Sequence, residues 1–123
     1  MKYFILEGRN VVEVPYMEDA MMAFLNPGSR VIARTVVGEV TVSTVFLIFD
    51  HSMGTAGPPI LFETMCFAGG ESAARDHMQR YSTYDEAVSG HNTVVDLIHH
   101  QVSQSEDATT DIMLKLAALR EQP

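Results

Sequence analysis

Residues Glu39–Gly69 read EVTVSTVFLIFDHSMGTAGPPILFETMCFAG, two apolar runs on either side of a Gly/Pro-rich loop. The first run, Val40–Phe49, holds four Val or Ile, two Thr and two Phe, a composition that suits the pleated surface of a packed strand. The second, Ile60–Phe67, carries similar apolar weight. The two are expected to pair as an antiparallel hairpin across the Ser52–Pro59 loop, and Arg30–Val37, turned back by Gly38-Glu39, is expected to extend them into a three-stranded meander.

Outward from this centre, Lys2–Glu7 and Val11–Val14 read as two short strands about Gly8-Arg9-Asn10, and Pro15 closes the pair. Between Tyr16 and Leu25 the residues Met17, Ala20, Met21, Phe24 and Leu25 recur at helical spacing, with Glu18 and Asp19 in the first turn and Asn26-Pro27-Gly28 as the stop. The methionine stripe is expected to pack in the core, with a soft partner-binding face as the alternative. Ala68–Asp76 reads as a polar loop and His77–Tyr81 as a short edge strand. Thr83 and Glu86 form a capping box. The helix they open carries a stripe of Tyr84, Val88, Val95, Ile98 and Val102, flanked by Ala87, Val94 and Leu97, with His91 inside it. The run SQSED after Val102 is expected to break that helix before a weaker one over Asp107–Arg120, so residues 1–102 are expected to form one domain and 103–123 a helical extension.

Composition narrows the function classes. A chain of 123 residues, 46% hydrophobic and 20% charged, fits one globular unit. No apolar run approaches the ~20 residues of a membrane span, and no leader pattern is visible at Met1, so a cytoplasmic location and no membrane partner are expected. The net charge of −8 speaks against a nucleic-acid polymer and for a basic partner or plain solubility. Six of the eight basic residues are Arg, a bias that permits a small anionic ligand. The single Cys66 excludes an internal disulfide and a cysteine zinc cluster, and reads as a buried thiol.

Four blocks in fixed order, VSTVFL (Val42–Leu47), DH (Asp50–His51), GPPILFETM (Gly57–Met65) and RYSTYDEAVSGH (Arg80–His91), resemble a family of small uncharacterised proteins of bacteriophages and bacteria. The resemblance spans residues 30–95 and leaves out 103–123. Two positions depart from it: Tyr84 stands where the family has Trp, and Ile48 where it has Gly. It implies a mobile-element accessory protein and no particular chemistry.

Two histidines and two carboxylates, Asp50, His51, Glu63 and His91, could converge to hold a divalent metal or work as a general acid/base pair. The simpler account makes Asp50 the start of a turn, His51 solvent-facing and His91 a satisfied interface imidazole. Alternation puts Glu63 with Leu61, Met65 and Phe67, on an otherwise apolar face where a carboxylate needs a partner. Arg34 and Arg80 are the candidates, as a structural pair or as the polar floor of a pocket beneath Ser52–Gly57. The loop SMGTAGPP is not followed by a helix and so is no phosphate loop, and no hydrolase, zincin or kinase motif occurs.

The expected architecture is α+β: an antiparallel meander of four to six strands, two main helices on one face, and a C-terminal helix. Both faces of Val40–Phe49 are apolar, so a homodimer or higher homo-oligomer is expected. The expected function is a non-enzymatic binding protein of phage or mobile-element type, without cofactor. In a specific version it antagonises host defence by sequestering a small anionic nucleotide signal or blocking a protein partner. The competing expectation is a metal-assisted hydrolase using Asp50, His51, Glu63 and His91.

Overall fold

The structure, a computed structural model, describes residues 2–54, 56–68, 71–72 and 78–121, with the helix beyond residue 103 described by its backbone alone. The chain is α+β. β1 (Tyr3–Glu7) and β2 (Asn10–Val14) form a hairpin, α1 (Met17–Leu25) follows, and a 3-10 turn over Pro27–Arg30 leads into β3 (Val31–Val37). β3, β4 (Val40–Phe46) and β5 (Phe62–Ala68) make the expected antiparallel meander. Two short strands, β6 (Glu71–Ser72) and β7 (Gln79–Tyr81), pair with the two ends of β5, and α2 (Tyr84–Glu121) closes the order. The rest of the polar loop expected over 68–76, and His77, lie outside the described residues.

Alternation along the central strands decides the two faces. Val42, Thr44 and Phe46 lie opposite Cys66, Thr64 and Phe62, and all six are buried. α2 covers this face with Ala87, His91, Val94 and Ile98 buried at helical spacing, so its inner stripe is rotated from the expected one: Ala87 and Val94 are central and Leu97 is exposed. One core joins Phe4, Ala20, Phe46, Ile48, Leu61, Phe62 and Ala87, the other Val37, Val42, Cys66, Val94 and Ile98.

Two local features differ from the expectation. The first apolar run does not continue as one strand to Phe49, because Ile48 takes a left-handed φ of 73°. That conformation is costly for a β-branched residue and free for glycine. The kink redirects the chain: the Phe4 amide donates to the Ile48 carbonyl (2.9 Å), and Tyr3 bridges Phe49, stitching the β1–β2 hairpin to the meander. The side chain of Ile48 is fully buried, and burying it offsets the backbone strain.

The helix also runs on through Ser103–Asp107, unbroken from Tyr84 to Glu121. The segment contains neither Gly nor Pro, and Ser, Gln, Glu and Asp each cost a helix only a few tenths of a kcal/mol. The expected apolar set Ile112, Met113, Leu116, Ala117 and Leu119 lies outside the described side chains. At the start of α2 the capping box is present: the Glu86 amide donates to Thr83 Oγ1 (3.1 Å), and the Thr83 hydroxyl donates to Glu86 Oε1 (3.0 Å). Thr83→Ala is expected to cost about 1 kcal/mol in urea unfolding; an unchanged midpoint would contradict this start of the helix.

Candidate binding surfaces

The four residues of the metal hypothesis do not converge. In β5 the consecutive residues Phe62, Glu63 and Thr64 point to alternate faces, so Glu63 is on the sheet side opposite α2 while His91 reaches the covered face from α2 itself. Asp50 is occupied as a loop clamp, its Oδ1 accepting from the Ser52 amide (2.8 Å) and the Ile60 amide (2.9 Å) and its Oδ2 from the Ser52 hydroxyl (2.9 Å). These bonds, that from Ile60 foremost, hold its carboxyl below the usual carboxylate range. His51 donates from Nδ1 to the Phe49 carbonyl (2.8 Å) and is half-buried. Among the described residues no three His, Cys, Asp or Glu side chains are grouped to hold a metal.

His91 is instead the hub of a buried polar chain. Its Nδ1 meets Thr44 Oγ1 (2.7 Å), its Nε2 meets Thr35 Oγ1 (2.8 Å), and Thr44 bonds on to Thr64. A neutral imidazole suits this set, one ring nitrogen donating and the other accepting. Burial pushes the His91 pKa below its ordinary value. Cys66 is buried as expected, and burial raises its pKa, which leaves an inert thiol.

The face away from α2 is open and collects the remaining candidates. Glu63 is paired with Arg80, Nε to Oε2 at 2.9 Å, and the two are register partners across β5 and β7. Arg34 stands opposite Ser43 on β3 and is not in that pair. With Val31, Thr41, Ser43 and Phe67 it lines a shallow groove of about 220 Å³. The side chain of Glu63 is 11% exposed and that of Arg80 40%, so water can take up part of the charge when the pair is broken. Glu63→Gln is therefore expected to cost about 1–2 kcal/mol rather than the 3–5 of a fully buried pair. Double-mutant melts should give a coupling with Arg80→Met and simple additivity with Arg34→Met; the reverse pattern would reassign the pair.

The methionine stripe expected in the core is instead exposed among the described residues. α1 turns Ala20, Ala23 and Phe24 inward and leaves Met17, Met21, Met22 and Leu25 exposed, with Tyr16 beside them. Met22 and Leu25 are each more than 70% exposed. Met17, Met21 and Leu25 repeat every fourth residue and so form one ridge. Glu18 shares this outer side, one turn before Met22. Beside the ridge lies a groove of about 390 Å³, lined among others by Leu6, Asp19, Met22, Ala23, Arg30 and Phe46. The sequence signal was there: a nine-residue helix needs only a narrow stripe to bury itself, and this one is apolar over most of its circumference.

A third groove, of about 690 Å³, runs between β7 and α2 past Gln79, Tyr81, Glu86, Ser89 and Gly90. Among the described residues the Tyr81 hydroxyl, buried there, has no hydrogen-bond partner.

Together these features define a small α+β protein with exposed apolar residues and surface grooves, a buried polar chain beneath α2, and no helix among the described residues long and apolar enough to cross a membrane. No protein-family model, curated protein or solved structure matches the chain.

Proposed function

We propose that this is a non-enzymatic binding protein of bacteriophage or mobile-element type that acts by docking on a protein partner through the outer face of α1. The observation that carries the reading is the ridge of Met17, Met21 and Leu25 with Met22 beside it, all exposed. Contiguous apolar surface of this kind marks interaction sites, and methionine gives such a face the softness to fit a partner. The mobile-element setting rests on the resemblance of the four sequence blocks, and blocking a host-defence protein is the specific version of the proposal. In a bacterial host carrying an anti-phage defence, expression of the chain should raise the plating efficiency of a restricted phage. A Met22→Ser, Leu25→Ser variant of unchanged melting temperature should not; a variant as active as the parent would contradict the reading.

A second reading, capture of a small anionic ligand, is favoured by the Arg34 groove, where one guanidinium stands near the hydroxyls of Thr41 and Ser43 and the ring of Phe67. Equilibrium dialysis with a labelled nucleotide should then show binding that Arg34→Gln abolishes. The same open face, with Val31 and Val36 exposed on edge strand β3, is proposed as a self-association surface. Light scattering at micromolar concentration is expected to report a dimer that Val36→Lys dissociates.

A further inference from the structure

Resting on the docking role proposed for α1, we infer that the segment it receives is a basic amphipathic helix. The apolar ridge is not neutral at its edges. Glu18, one turn before Met22 at the start of the helix, is exposed and makes no ion pair with any described residue. Asp19, also exposed, borders the 390 Å³ groove, where its Oδ2 accepts only the Tyr16 amide at 3.3 Å. From Asn10 to Ser29 the chain has three carboxylates, Glu13, Glu18 and Asp19, and no Lys or Arg. Of the nearest cations, Lys2 is paired with Glu13 (3.7 Å), and Arg30 donates from Nε to the Phe46 carbonyl (3.0 Å) at the inner side of the groove.

This charge pattern selects among occupants. A second copy laid parallel on α1 would set Glu18 and Asp19 against their own equivalents, an antiparallel copy would bring them no cation because α1 contains no Lys or Arg, and an anionic lipid surface would be repelled by the same groups and by the net charge of −8. A helix with an apolar stripe and Lys or Arg on its borders meets all the features at once. One apolar side chain enters the groove over Leu6, Ala23 and Phe46, its neighbours lie on the methionine ridge, and its cations reach Glu18 and Asp19. A methionine face edged with carboxylates fits such targets because soft side chains tolerate varied shapes while charge fixes orientation.

The test uses three synthetic 18-residue peptides with one leucine stripe and a polar face of Lys, Gln or Glu, titrated by fluorescence anisotropy against the full chain. The Lys peptide should bind, the Glu peptide should not, and raising NaCl from 50 to 300 mM should weaken binding several-fold. Met22→Ser with Leu25→Ser, which leaves the charge intact, and Glu18→Gln with Asp19→Asn, which leaves the ridge intact, should each weaken binding at least tenfold. Gln or Glu peptides binding as well as the Lys peptide would overturn the basic partner while leaving α1 as a docking face. Lys-peptide binding unaffected by the serine variant would be general attraction to an acidic protein and would overturn the inference. So would absence of binding by all three, or self-association of the chain abolished by that variant.

Discussion

Gly90→Ala is expected to lower stability by about 2–3 kcal/mol, although the same change in most helix interiors raises it by up to about 1 kcal/mol. The reason is the Tyr81 ring, which crosses α2 at this point: a Cβ on Gly90 would overlap Cε1, Cζ and Oη of Tyr81. The ring is half-buried against the core and belongs to a strand held on β5 by three register pairs, so it cannot swing aside without uncovering apolar surface. In a Tyr81→Leu background the penalty should vanish and the usual gain from alanine return. A higher melting temperature for Gly90→Ala in the parent chain would contradict this packing.

His91→Leu is expected to cost about 2–4 kcal/mol, because it strips the fully buried Thr44 and the half-buried Thr35 of a partner. Pairing it with Thr44→Val should recover part of that loss, since both polar ends are then removed. The parent should also weaken in mild acid. The folded pKa of His91 lies below its ordinary value of 6.5, so as pH falls through about 6.5 the unfolded chain takes up a proton that the folded chain refuses. Stability is then constant above this pH and falls below it toward the folded pKa, with a slope of at most about 1.4 kcal/mol per pH unit from this group. Urea midpoints of parent and His91→Leu between pH 7.5 and 5 should show this component in the parent alone. Parallel curves would mean that His91 is not held neutral.

The residues that meet in the structure come largely from four short stretches, Val42–Leu47, Asp50–His51, Gly57–Met65 and Arg80–His91. Thr44, Thr64 and His91 come from three of them, Glu63 pairs with Arg80, Thr83 caps with Glu86, and Tyr81 crosses Gly90. The meander and the capping box were legible because each is fixed by local chemistry: alternation with a two-residue turn in one case, a side chain and an amide three residues apart in the other. The partner of Glu63 was narrowed to two arginines, and choosing between them needed the β5–β7 register, which lies across a loop of unreadable path. The convergence of Asp50, His51, Glu63 and His91 failed on a point that period-two geometry could have supplied, since a helix over Phe62 and Thr64 cannot face Glu63. Two further features were beyond local reading. The inner stripe of α2 depends on which side meets the sheet, a tertiary choice among nearly equal apolar faces. The exposure of the α1 methionines depends on how little sheet is left to cover them once α2 has taken the meander. At Ile48 the positive φ falls on a β-branched residue inside an apolar run, and nothing in its local sequence marks it.

The proposed role of α1 can be tested most directly by hydroxyl-radical footprinting with mass spectrometry, because the face in question is built of methionine and an internal standard is present. Met53, 89% exposed in the Asp50–Ile60 loop, is the reference for full reactivity. In the purified chain Met17, Met21 and Met22 should oxidise readily alongside Met53. In host cells where the chain is active, the three α1 methionines should be protected while Met53 stays reactive. Equal oxidation of all four methionines in both settings would show that nothing docks on α1 and would contradict the proposed function.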